Sequence, residues 1–303
     1  MITVVSALLP TFLIIAIAVA IKRAQILPEA AWLGMERTTY FVFFPVFLFR
    51  SLADANFEGY DVWPLAYALL AGIGTMAVTL AIVRIPLGAT GPQYTSIYQG
   101  AIRWNGFVAV ATLQGLHGTI GATLSAVAFA AIVPVVNVLC VLVLARHATG
   151  ETSKRLIMKS VVTNPLVVAC VLGIAARAVS LPIPGPIDAT MKVLADASVA
   201  LGLFSVAAGL DFRGLVSNPR ILAATAFLKL FAMPAFMALY CTLFHVTGAG
   251  RAVAVVAGAV PTAANAYILA RQMGGDAPLM ANIVTATTLL AFITMPVLVW
   301  LLA

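Results

Sequence analysis

The stretch Gly258-Ala259-Val260-Pro261-Thr262-Ala263-Ala264-Asn265-Ala266 lies in the middle of an apolar run that extends from about residue 250 to 272. Pro261 has no amide donor and its ring collides with the preceding helical turn, while the small residues and Asn265 let the backbone unwind and recover its hydrogen bonds. Irregular backbone deep in a bilayer survives only where protein or a water-filled cavity surrounds it. Two readings follow: a broken helix whose half-helix ends face a small molecule, or a plain kink, since proline is common in membrane helices.

Composition places this run in a membrane. Of 303 residues, 63% are apolar and 9% charged, against roughly 45–50% and 25% for an average soluble domain, so polar groups cannot cover a globule of this size. Apolar runs near 3–21, 38–53, 62–83, 94–116, 121–145, 160–179, 190–210, 219–243, 250–272 and 279–302 read as ten spans, each near the ~20 residues that cross a bilayer. Short connections remain, with no room for a separate soluble catalytic domain. The first run has no positive residue before it and Lys22-Arg23 after it, the wrong order for a cleaved signal peptide, so it is expected to stay as a span. Cys140, Cys170 and Cys241 fall far apart in apolar runs, which indicates neither a disulfide framework nor a zinc site.

The net charge of +7 would suggest nucleic acid in a soluble protein. Here it has a simpler source, because cytoplasmic loops of membrane proteins concentrate Lys and Arg, and no nucleic-acid partner is expected. With both termini outside, Lys22, Arg23, Arg37, Arg84, Arg146, Lys154, Arg155, Lys159, Arg213, Arg220 and Arg271 fall inside, and Arg50, Arg177, Lys192 and Arg251 outside. That imbalance predicts the orientation. The most polar connection, Arg146 to Arg155, lies almost at mid-chain and reads as a cytoplasmic linker over 146–159. It joins five spans in 1–145 to five in 160–303, and an odd number per half makes the second half start from the opposite side, as in inverted repeats. A shift of 160 residues lays Asn105 on Asn265, Phe107 on Tyr267, Val108 on Ile268 and Gly115 on Gly275.

The counterpart of the Pro261 segment is Gly100-Ala101-Ile102-Arg103-Trp104-Asn105-Gly106. An Arg at the centre of a span costs at least ~2.5–3.5 kcal/mol, and Arg103 lies too deep to snorkel comfortably. A fixed guanidinium beside Asn105 suits a carboxylate, which Arg grips in a bidentate fork; the alternative is a structural Arg that caps the carbonyls of a broken helix. Trp104 reads chiefly as packing. Lys229 could snorkel toward the cytoplasmic surface or serve coupling. Asp196 is the carboxylate that falls clearly inside a predicted span and could carry a proton, or simply be solvated. Asn137, Asn282 and the Thr285/Thr287/Thr288 cluster could line a polar cavity or form interhelical hydrogen bonds.

Absences narrow the function further. The ten acidic residues form no membrane-facing metal pair, and His117, His147 and His245 fall in or near loops, which disfavours a metalloprotease or a haem protein. No Gly-Lys-Ser/Thr phosphate loop is present, so ATP is not expected as an energy source, nor any other cofactor.

The run Val256 to Ala270 resembles the ninth-span motif of the auxin efflux carrier family, which includes bacterial permeases often labelled malonate transporters. Arg103-Trp104-Asn105-Gly106-Phe107 resembles its fourth-span motif, Asn164-Pro165-Leu166 its sixth-span opening, and Leu201-Gly202-Leu203-Phe204 with Gly209-Leu210 its seventh span. The resemblance implies an all-α membrane protein of ten transmembrane helices in two inverted five-helix repeats, with broken, crossing fourth and ninth helices, similar to sodium/proton antiporters and bile-acid symporters. It also implies a scaffold of spans one, two, six and seven that usually dimerises, and a moving unit of the others. Asn105, Asn265 and Pro261 match the crossover residues. The chain departs from the plant carriers in lacking a fourth-span proline and a long central loop, which bears on auxin specificity rather than on the fold.

The expected function is therefore secondary transport of small organic anions, such as malonate or auxin-like acids, by an elevator-type movement in a bacterial inner membrane. Arg103, Asn105, Pro261, Thr262, Asn265 and Asn137 are the expected substrate-binding residues, with Asp196 and Lys229 as coupling candidates. The expected partners are the anion, the lipid bilayer and a second copy of the chain. A sodium-coupled symporter is the nearest alternative. A passive channel would need a continuous polar stripe or a ring of charge, and a sensor would usually carry a soluble output domain.

Overall fold

The computed structural model describes residues 1–55, 62–149, 158, 162–212, 215 and 218–303. Residues 150–157 and 159 of the expected linker lie outside the described residues, as do Glu58, Asp61, Glu151, Lys154, Arg155, Lys159 and Arg213. Everything described is helical or irregular, with no strand among the described residues. Helix α1 spans Ile2–Arg23, α2 Glu29–Thr38 and α3 Phe44–Ala53, the last two joined by a π turn at Thr39–Phe43. Then come α4 (Val62–Leu87), α5 (Gly91–Ile102), α6 (Gly106–Leu144), α7 (Pro165–Ala178) and α8 (Gly185–Val206). A π turn also ends α6 at Ala145–Thr149, and helix α9 (Pro219–Phe227) continues through a third at Leu228–Ala232 into α10 (Met233–Leu243). Helices α11 (Gly248–Ala259), α12 (Ala266–Gln272) and α13 (Ala277–Leu302) complete the chain.

Among the described residues six helical stretches are long and apolar enough to cross a membrane: Ile2–Arg23, Val62–Leu87, Gly91–Ala148, Gly185–Gly209, Pro219–Leu243 and Ala277–Leu302. The 58 residues of Gly91–Ala148 would reach ~87 Å as one rod at ~1.5 Å per residue, nearly three times the ~30 Å of a hydrocarbon core. They do not run as one rod. The chain leaves helical geometry at Arg103–Asn105 and again at Gly118 (φ 58°, ψ −139°), a left-handed conformation that glycine adopts without steric cost. This turn falls between the apolar runs 94–116 and 121–145.

The long helices α1, α4 and α13 are apolar on every side, as elements with both core and lipid contacts must be. In α4, Leu69, Met76 and Leu80 are fully buried while Val78, Ile82 and Ile85 of the same helix are exposed. The outer surface carries many exposed large apolar side chains, Trp63, Ile85, Val193 and Ile293 among them. Polar side chains turn inward instead, among them Gln99, Arg103, Asn105, Thr262 and Thr287.

Helix α2 begins nine residues before the expected start of its span at residue 38. Hydropathy misses this part because Glu29, Glu36 and Arg37 dilute it; a long-range contact holds it instead, with Trp32 fully buried and stacked on Phe204 of α8 at 6.4 Å. Helix α7 starts at Pro165, which suits a first helical turn because no donor is lost, and Asn164 caps it by accepting from the amides of Leu166 (2.9 Å) and Val167 (3.3 Å).

Two groups of helices can be traced in the packing, and α6 joins them by meeting α1, α3, α7 and α8. In the first, α3 lies along α7 and α8, and α8 also meets α1 and α2. Arg50 of α3 donates through Nε and Nη2 to the two carboxylate oxygens of Asp188 in α8, at 2.9 and 3.2 Å. Lys22 at the end of α1 donates to the carbonyls of Ala207 (3.0 Å) and Ala208 (2.8 Å), so this cation, read from sequence only as a topology signal, also satisfies carbonyls that a helix end leaves open. In the second group α4 packs on α10, and α11 on α10, α6 and α13. Helices α5 and α6 bring the first break into contact with the second.

Candidate functional site

Helix α5 ends at Ile102, the backbone is extended at Arg103 (φ −73°, ψ 147°), and helix resumes at Gly106. Helix α11 ends at Ala259, Val260 is extended (φ −62°, ψ 152°), and helix resumes at Ala266. Each break leaves carbonyls and amides without helical partners, and the two breaks satisfy each other. The Asn105 amide donates to the Pro261 carbonyl at 2.8 Å. The Thr262 hydroxyl donates to the Gly100 carbonyl at 2.5 Å, and its amide donates to Thr287 Oγ1 of α13 at 3.3 Å. The segment around Pro261 is thus a broken helix and not a kink.

Thr262→Val should therefore act on stability. It keeps the side-chain shape but strands the buried Gly100 carbonyl, which costs about 1–3 kcal/mol, and the expected result is a lower unfolding midpoint of the detergent-solubilised protein.

The two crossing asparagines differ in what they hold. Asn105 is 2% exposed and its side-chain oxygen accepts from the Val108 amide at 3.3 Å, capping α6. Asn265 stands at the equivalent place before α12 but makes no side-chain cap, and its Oδ1 is buried without a partner among the described residues. Oxygen and nitrogen of an amide are interchanged by a simple flip, so Asn265 can present a donor or an acceptor to whatever meets it.

Arg103 is 8% exposed. Its Nη2 donates to Asn137 Oδ1 at 3.2 Å, and the guanidinium lies within hydrogen-bonding reach of Cys140. Its Nε is buried without a partner, and among the described residues no carboxylate pairs with it. Such an arrangement is expensive unless an anion visits, because a buried charge needs a counter-charge or a full set of hydrogen bonds.

Two adjoining cavities meet this guanidinium. The narrower, about 80 Å³, runs between Arg103, Asn105, Asn137 and Asn265 and is walled by Phe44, Trp104, Phe107 and Phe129. Trp104 packs on Phe129 with ring centroids 4.6 Å apart, and Phe44 on Phe107 at 4.6 Å. The wider, about 480 Å³, shares Arg103, Asn137 and Asn265 and reaches Glu36, Arg37, Tyr40 and Asn164. Apolar walls with a few converging polar groups are the usual make-up of a small-molecule site.

Of the residues expected from sequence, Arg103, Asn105, Asn137 and Asn265 come together around the cavities. Pro261 and Thr262 line neither, since their polar groups are spent on the crossing itself. Asp196 lies apart, exposed on α8 and paired with Lys192 one helical turn away at 3.2 Å. Lys229 does not snorkel: it is fully buried in the π turn at Leu228–Ala232, its Nζ has no hydrogen-bond partner among the described residues, and it lines neither cavity. Thr285 and Thr287 accept from the amides of Asp211 and Thr262, so they tie helices and loops together. Three site residues were not expected. Tyr40 accepts from Asn164 Nδ2 at 3.1 Å, and both face the wider cavity with Glu36.

Membrane-length helices around a buried, unpaired guanidinium agree with what sequence comparison finds, because residues 3–299 match the model of a family described as membrane transport protein. The molecule is thus a membrane transport protein. More narrowly, the chain belongs to the family of the auxin efflux carriers and their permease relatives. No curated protein matches the chain.

Proposed function

We propose that this chain is a secondary transporter of small organic anions whose carboxylate is held by Arg103 at the helix crossing. The observation that carries the reading is the Arg103 guanidinium, buried, free at Nε and without an acidic partner among the described residues, beside the unsatisfied Oδ1 of Asn265. The amino end of α6 begins at the same break and adds its partial positive charge. Asn137 holds one side of the guanidinium so that the remaining N–H groups are aimed before a substrate arrives, and the aromatic wall excludes water from the pair.

In this reading the molecule has ten spans in two inverted repeats, 1–145 and 160–303, with both termini outside a bacterial inner membrane. Helices α1, α2–α3, α7 and α8 form a scaffold through which two copies dimerise. The rest moves against it as a unit, elevator fashion, carrying the crossing from one side to the other. Support comes from the paired breaks at equivalent positions. The experiment is uptake of labelled malonate and indole-3-acetate into proteoliposomes containing the purified protein, with and without a pH gradient. Saturable uptake of either acid is the expected result. Uptake no greater than in empty liposomes would end the organic-anion reading.

A further inference from the structure

One carboxylate lines both cavities at the crossing, and it is Glu36. It projects from α2, a helix fixed by the burial of Trp32 against Phe204, so its place is set by packing and not by a loose loop. Among the described residues Glu36 enters no ion pair. Lys22 and Arg37 act on its charge through space without pairing with it. Lys22 is engaged by the carbonyls of Ala207 and Ala208 and faces Glu29 at 3.9 Å, Arg37 is its exposed chain neighbour, and Arg103 is held by Asn137.

A site whose cavities are lined by both a guanidinium and a carboxylate that are not paired with each other discriminates by charge. A monoanion in the Arg103 fork leaves its other end neutral, and a hydroxyl or amide there can donate to Glu36 or to the Tyr40 oxygen. A dianion in the same fork brings its second negative charge into a cavity that already contains one. Like charges in one cavity repel, and the more so the lower the dielectric around them.

Resting on the organic-anion reading above, we propose that Glu36 is a specificity residue that makes the site prefer monoanionic acids to dianionic ones. The test is binding of malonate and of its monomethyl ester to the purified protein by calorimetry, at mildly alkaline pH where the first is a dianion and the second a monoanion. The wild-type protein should bind the ester more tightly. Glu36→Gln should strengthen malonate binding by about tenfold, the size of one unit-charge interaction across a polar cavity, while the ester changes by less than about twofold. Arg37→Gln, which removes a cation from the wider cavity, should move malonate the other way.

A merely structural role for Glu36 would alter both ligands together, so an unchanged malonate-to-ester ratio in Glu36→Gln overturns the proposal. So does a wild-type preference for malonate. If the Gln variant does not fold, Glu36→Asn carries the same test. If neither acid binds the wild-type protein, the organic-anion reading itself fails and this proposal falls with it, an outcome distinct from binding with an unchanged ratio.

Discussion

Arg103→Ala is expected to abolish saturable organic-anion uptake and to weaken binding by roughly a hundredfold or more, the loss of about 3 kcal/mol from charge-assisted hydrogen bonds, while the helices stay folded. The side chain makes only peripheral bonds to its own protein, through Nη2 to Asn137 and toward Cys140. Its Nε serves nothing in the described structure. The two breaks are joined by other groups, the Asn105 amide and the Thr262 hydroxyl, so the crossing does not depend on the guanidinium. Arg103→Lys separates charge from shape. Lysine keeps the cation but loses the planar fork, and an intermediate loss of binding is expected. If Arg103 instead props the broken helix, alanine will lower the unfolding midpoint sharply and leave affinity in the surviving folded protein intact. That outcome would remove it from the site.

Gly258→Val is expected to cost more in stability than other single changes in α11. A Cβ at Gly258 would lie 2.7 Å from Pro234 Cα, 2.8 Å from Pro234 N and 3.1 Å from the Met233 carbonyl carbon. All of these are backbone atoms, so no side chain can rotate out of the way. The clash forces α11 and α10 apart at the helical turn that leads into the Pro261 break. Overpacking of this kind costs typically 1–3 kcal/mol and more where backbone must move. The measurable result is loss of monodisperse protein in detergent, or a much lower unfolding midpoint, and any transport by the survivor should be weakened because the second break is displaced. A variant as stable as wild type would mean that α10 and α11 are not packed this closely.

The second break was legible in the sequence because proline leaves a local mark. The first carried a weaker one, two glycines flanking Arg103, and became clear through its equivalence to the second. What the local sequence could not give was the assignment of each hydroxyl and carboxylate. Thr262 reads as a ligand because it follows Pro261, yet its bond to Gly100 exists only once residues 162 positions apart are in contact. Glu36 reads as part of a polar connection, because nothing within α2 indicates that its carboxylate faces Arg103's cavity. Asp196 could have been set aside sooner, since Lys192 four residues earlier offers the pairing expected on a helix surface. Lys229 deceived for the opposite reason: a long stem suggests escape to the surface, while its place in the π turn holds it fully buried.

The π turns have a metrical consequence. Each gives its helix one residue more than an α-turn would take, which offsets the angular phase of everything downstream by roughly 100°. A single rod of this kind carries two stripes that cannot be aligned by eye or by a fixed repeat. Before Thr39 the inward stripe contains Trp32 and Glu36; after Phe43 it contains Phe44, Phe47 and Leu48. The offset is frozen into the backbone and lets one helix aim a carboxylate at both chambers and, about two turns later, an aromatic ring at the narrower one.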